Sequence, residues 1–109
     1  MIRFALICSF ALGALAGCSD PTRQVLFDGL QFKGRLSADK DDKRNFVATA
    51  APVSQSLEGA REAARFEGTS YCVRKYGRSD IEWAASPDAE ATALNIVEDV
   101  LTVQGRCSE

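Results

Sequence analysis

The chain has 109 residues, with 13 Lys and Arg against 15 Asp and Glu and a formal net charge of -2. Without a basic stripe it lacks the clustered cations that displace counterions from nucleic acid, so no nucleic-acid partner is expected, and no polybasic patch marks it for anionic lipid heads. It contains no histidine, and its single methionine is Met1, which removes the common haem and copper ligands, the base of a catalytic triad and most zinc sites.

The first predicted element is a leader. Arg3 precedes the nearly uncharged run "FALICSFALGA", Phe4 to Ala14, which is shorter than the ~20 apolar residues a membrane-spanning helix requires. It reads as the apolar region of a secretory signal. The next four residues, "LAGC" from Leu15 to Cys18, resemble the lipobox of bacterial lipoproteins. That resemblance implies cleavage before Cys18, attachment of diacylglycerol to its sulfur, and acylation of the new amino terminus by a chain such as palmitate. The alternative is an ordinary signal peptide that leaves Cys18 as a free or paired thiol. Two or more acyl chains anchor a protein stably where one does not, so a lipidated Cys18 holds the chain on a membrane without a transmembrane helix.

"SDPTRQ", Ser19 to Gln24, is a polar tether with a turn-favouring Pro21. In enterobacterial lipoproteins an aspartate directly after the cysteine retains the product in the inner membrane. Here that place is Ser19, so the resemblance implies the periplasmic face of the outer membrane. The expected organisation is a signal over residues 1–17, a lipidated tether over 18–24, and one small domain over 25–109. Cleavage removes Arg3 and no acidic residue, leaving 92 residues with 12 Lys and Arg against 15 Asp and Glu, a net charge of about −3.

"QVLFDGLQFKGRLSA", Gln24 to Ala38, places Leu30, Phe32 and Leu36 at period two and predicts a half-buried strand. "DKDDKR", Asp39 to Arg44, is a charged loop; its aspartates invite comparison with calcium ligands, but the glycine and distal glutamate of the usual calcium loop are missing. "NFVATAAPV" alternates again through Phe46, Ala48 and Ala50, which suggests a hairpin ended by Pro52. Ser54 or Ser56 is placed to cap a helix from Leu57 to about Tyr76, in which Leu57, Ala60, Ala64, Gly68 and Cys72 share one face. Apart from Leu57 that face is made of small residues, suited to close approach to a sheet, although Gly68 could instead divide the helix. Arg74 and Lys75 suit its carboxyl end and Gly77 its C-cap.

"DIEWAAS" predicts a third strand with Ile81 and Trp83 on one face, and "SPDAEA" a loop. "TALNIVEDVLTVQGRC" predicts strands over Thr92–Val97 and Val100–Arg106 around a Glu98–Asp99 turn. The order ββαβββ defines an α+β domain with one helix packed on an antiparallel sheet. A domain this small commonly carries a staple. With Cys8 in the signal and Cys18 lipidated, Cys72 and Cys107 remain, and in an oxidising envelope they pair. The loop they close, about 36 residues, is worth roughly 3–4 kcal/mol. A redox pair would favour a CxxC spacing, and a metal site would want more ligands than two thiols.

Little catalytic equipment remains. Asp80 and Glu82 would face the same way on their strand, but that direction is the wet side of the sheet, and Ser70 and Ser79 have no base to activate them. No enzyme, metal or cofactor is expected. Phe66, Tyr71, Tyr76 and Trp83 either form a partner-facing patch or wrap the edges of a thin core. "EGTSYCVRKYGRSDIEW", Glu67 to Trp83, and "LTVQGRC", Leu101 to Cys107, resemble small alphaproteobacterial envelope proteins that carry no assigned activity. By architecture the chain also resembles disulfide-stapled outer-membrane lipoproteins that sense envelope stress or assist outer-membrane assembly. The expected function is a lipid-anchored, non-enzymatic structural or protein-interaction module. Alternatives are a periplasmic binder of a small ligand or cell-wall material, and a thiol-disulfide redox protein.

Overall fold

The computed structural model describes residues 25–109. The leader, the lipobox at Cys18 and the tether therefore lie outside the described residues. The described chain enters through a tight reversal at "FDGL", where Phe27 and Leu30 exchange both backbone hydrogen bonds, at 2.8 and 2.9 Å. Asp28 and Gly29 at its centre have φ of 56° and 73°, the left-handed pair that a two-residue hairpin turn demands and that Asp-Gly supplies. The strand expected from Gln24 onward is thus confined to β1, Lys33–Ala38. The period-two spacing of Leu30, Phe32 and Leu36 spans the exit from a turn, and only Leu36 of the three belongs to a strand.

The charged loop leads into β2, Asn45–Ala51, paired antiparallel with β1 so that Phe46, Ala48 and Ala50 lie opposite Ala38, Leu36 and Gly34. A cis Ala51–Pro52 bond and a 3-10 turn over Val53–Gln55 follow. The helix α1, Leu57–Tyr76, begins where Ser56 Oγ accepts the Gly59 N–H at 2.9 Å. It runs unbroken through Gly68 and ends at Gly77, whose φ of 78° gives a left-handed cap. After it come β3, Ile81–Ala85, a 3-10 turn over Ala91–Ala93, β4, Asn95–Val97, and β5, Val100–Cys107. Glu98 and Asp99, with φ of 52° and 69°, make the two-residue turn between the last two strands.

The domain is α+β, as the order ββαβββ predicts, with an antiparallel sheet ordered β1-β2-β5-β3. β5 is central: β2 covers one side of it, while β4 and β3 follow one another along the other side, opposite Val100–Thr102 and Gln104–Cys107. That shared edge explains why β4 has three residues rather than the six expected from Thr92, since β3 occupies the remainder.

α1 lies across one face of this sheet. The fully buried core consists of Phe46, Ala48, Ala50, Leu101, Val103 and Cys107 from the sheet and Ala60, Ala63, Ala64 and Cys72 from the helix. Five of these ten are alanines, so the layers approach closely but bury little apolar area per residue, and burial stabilises in proportion to area. The Cys72–Cys107 disulfide, with Cα atoms 5.5 Å apart, ties the helix to the last strand. Among the described residues no helix is long and apolar enough to cross a membrane.

Candidate functional site

Among the described residues, only one face of the sheet is covered. Because side chains alternate along a strand, the registers that turn Phe46, Ala48, Leu101 and Val103 toward α1 turn Val47, Thr49, Thr102, Gln104 and Arg106 the other way. Ser37 of β1 and Glu82 of β3 join them across the ladder. Toward the β4–β5 turn this open face carries Ala51, Val97 and Val100, with Lys33 of β1 opposite Ala51. Val97 is 63% exposed. At the opposite end lies a shallow hollow of about 440 Å³, lined by Ser37, Asn45, Val47, Glu82, Gln104 and Arg106 among others.

Arg106 dominates the electrostatics of the hollow. Its guanidinium donates to Asp42 Oδ2 at 2.6 Å and to Glu109 Oε2 at 2.9 Å, with a longer bond to Asn45 Oδ1 at 3.4 Å. The Arg106 hydrogen bond, with the Arg44 backbone N–H second, holds the Asp42 carboxyl below the usual carboxylate range. Its two acidic partners in turn raise the Arg106 pKa, so the guanidinium stays charged. Two of the three aspartates of the charged loop therefore have structural work: Asp42 pairs with Arg106, and Asp39 Oδ1 accepts the Asp41 N–H at 3.0 Å. The pairing of residues 42 and 106, 64 apart in sequence, had no local signal by which to be found.

The four aromatic residues singled out in the sequence do not form one surface. Phe46 is the hub of a cluster on the helix side, with Trp83 at 5.7 Å and Tyr71 at 6.0 Å between ring centroids, and Tyr71 meets Tyr76 at 6.4 Å. Tyr71 donates its hydroxyl to the Lys43 carbonyl at 2.5 Å, and the Arg44 guanidinium sits 4.0 Å over the Tyr76 ring. These contacts fasten the charged loop to the end of α1. Desolvation, with the neighbouring Tyr76 second, raises the Tyr71 pKa. Phe66 stands apart, 41% exposed and 5.4 Å from Phe27.

Cys72 and Cys107 are buried to 0% and 1% exposure, on the helix side. Asp80 and Glu82 do not act together: Asp80 pairs with Arg78 at 3.0 Å, whereas Glu82 borders the open-face hollow. The open face thus carries hydrogen-bond donors and acceptors around Arg106, with β-branched residues beyond them and two further cations, Arg35 opposite Thr49 and Lys33 opposite Ala51. No protein-family model, curated protein or solved structure matches the chain.

Proposed function

We propose that the chain is a bacterial lipoprotein, anchored through acylated Cys18 to the periplasmic face of the cell envelope, whose domain serves as a non-enzymatic protein-interaction module. The observation that supports the interaction role is the bare face of the sheet. A sheet buries one face against its helix and leaves the other to water or to a partner. Here that other face runs from Val97 and Val100 at one end to Arg106 at the other, the mixture of apolar contact and fixed charge that interfaces use. The Leu15–Cys18 lipobox supports the anchor, and Ser19 after the cysteine favours the outer membrane.

A second reading, a periplasmic binder of a small ligand or cell-wall material, draws on the hollow beside Arg106. Redox chemistry is the weaker reading, because both sulfurs lie in the core, where an attacking thiolate would need access.

The anchor is tested by intact mass of membrane-extracted protein, with and without reductant and alkylation. A species beginning at Cys18, heavier by acyl chains and taking up two alkyl groups only after reduction, is expected. An unmodified Cys18 overturns the reading. The interaction role is tested by placing a photo-crosslinking residue at Thr102 on the open face and at Glu62 on the helix. A discrete adduct of the whole envelope protein at position 102 alone is expected. Equal, diffuse labelling at both positions argues against an interface there.

A further inference from the structure

The second exposed apolar surface lies on the opposite side of the domain, where the described chain begins. Val25 and Leu26 are 53% and 55% exposed. The next residue, Phe27, packs on Phe66 of α1 at 5.4 Å and on Phe32 at 6.4 Å between ring centroids. Phe66 is itself 41% exposed, and Val73, two turns further along the same helix stripe, is 47% exposed. Exposed apolar side chains thus run from the start of the domain onto Phe66, and resume on the outer surface of the helix at Val73 beyond the small polar Thr69 and Ser70. No element among the described residues covers them.

The geometry points to a lipid bilayer as the occupant of this surface, specifically the leaflet that holds the anchor. The inference rests on the lipid-anchor reading. Six residues lie between Cys18 and Val25, and seven backbone steps span at most roughly 25 Å even when fully extended. Acyl chains on Cys18 would therefore keep Val25 and Leu26 within that distance of the membrane at all times, at a high effective concentration. Burying exposed apolar side chains at the interface is favourable in proportion to their area. The nearest apolar phase to these side chains is then the bilayer.

Charge plays a small part. Glu62 is one helical turn from Phe66 and exposed, Asp28 sits in the turn near Leu26, and Arg65 and Arg74 adjoin Phe66 and Val73, so the flanking charge is mixed and the contact does not depend on anionic lipid. Docking by this side orients the whole domain. The helix faces the membrane, and the open sheet face points away from it, free to meet a partner.

The test uses the full mature acylated chain in phosphatidylethanolamine vesicles, with a photo-crosslinking phenylalanine analogue at position 66 or, as the opposite-face control, at position 104. Intact mass first records whether Cys18 carries acyl chains. Phospholipid adducts at position 66, at least tenfold above those at 104 and unchanged when a fifth of the lipid is phosphatidylglycerol, are the expected result. Val73→Glu should lower the adduct at 66 severalfold while leaving the circular dichroism spectrum unchanged. Equal labelling at the two positions on acylated protein overturns the inference and leaves the anchor standing. Adducts at 66 to a second copy overturn it in favour of a dimer. Absence of acyl mass removes the anchor and the inference together.

Discussion

Gly68→Ala is expected to destabilise the domain although it improves the helix. In an exposed helix interior the change would gain about 1 kcal/mol of propensity. Here a Cβ at position 68 would lie 2.7 and 2.8 Å from two ring atoms of Phe46 and 3.2 Å from Trp83. The Phe46 ring has little room to retreat. It is 3% exposed, and a Cβ at Gly105 on β5 would lie 2.9 Å from its Cζ, so the ring fills the space between two glycines. Overpacking a well-filled core costs typically 1–3 kcal/mol. Less the propensity gain, the net loss is about 1 kcal/mol, a fall in melting temperature of roughly 4–8 °C for a domain this size.

The assay is a double-mutant cycle on the disulfide-bonded protein, with thermal and urea unfolding followed by circular dichroism. Phe46→Leu lowers stability by itself but vacates the space. Gly68→Ala should then be neutral or favourable in that background, with a coupling of about 1 kcal/mol or more between the two sites. Gly59→Ala serves as a second case: its Cβ meets the half-buried Phe32 ring at 2.6 Å and the Phe27 backbone carbonyl at 3.1 Å, so moving the ring alone does not relieve it, and Phe46→Leu should leave its cost unchanged. Simple additivity between Gly68→Ala and Phe46→Leu, or a stabilising Gly68→Ala in the native background, would refute the reasoning.

Replacing Cys72 and Cys107 together by Ala should cost roughly 3–4 kcal/mol, from the unfolded-chain entropy of a loop closed across a sequence separation of 35. A urea midpoint lowered by less than the equivalent of about 1 kcal/mol would show that the staple is dispensable. Asp42→Asn should reduce stability at neutral pH and remove part of the acid sensitivity. The folded pKa of Asp42 lies below its ordinary value, so the ionised pair contributes fully above about pH 4. That contribution fades as pH falls through the lowered folded value. Urea midpoints at pH 7 and pH 3 should therefore converge between wild type and variant, and a gap that stays constant contradicts the assignment.

Much of the fold was legible because its signals are local. The alternation of Phe46, Ala48 and Ala50 against the helix marks β2, while the spacing of Ala60, Ala64, Gly68 and Cys72, with Ser56 before and Gly77 after, marks α1. The turn at Asp28–Gly29 also carried its sequence signal. The period-two spacing of Leu30, Phe32 and Leu36 ran across it and suggested one long strand. The length of β4 had no local signal, because it is limited by where β3 pairs along β5. The candidate site was less accessible still. The residues of the open face are ordinary solvent-side strand residues, and the Asp42–Arg106 pair depends on β2 and β5 lying side by side.

The alanine-rich core and the bare sheet face are consequences of one design. Small side chains at Ala48, Ala50, Ala60, Ala63 and Ala64 bring the helix close to the sheet, and the core gains compactness at the expense of buried area. A second helix or sheet on the other face would supply the missing burial. The open face instead carries Thr49, Thr102, Gln104 and Arg106, which would bring unsatisfied polar groups into a dry interior. These residues suit a surface that is wet when alone and met by polar groups when docked. The disulfide, rather than a third layer, compensates for the thin core and leaves that surface free. A chain that needed only to fold would more simply have made the open face apolar and covered it. Among the described residues the face is instead left uncovered and carries charge along its length, from Arg106 through Arg35 to Lys33, and that is the feature on which the proposed interaction role rests.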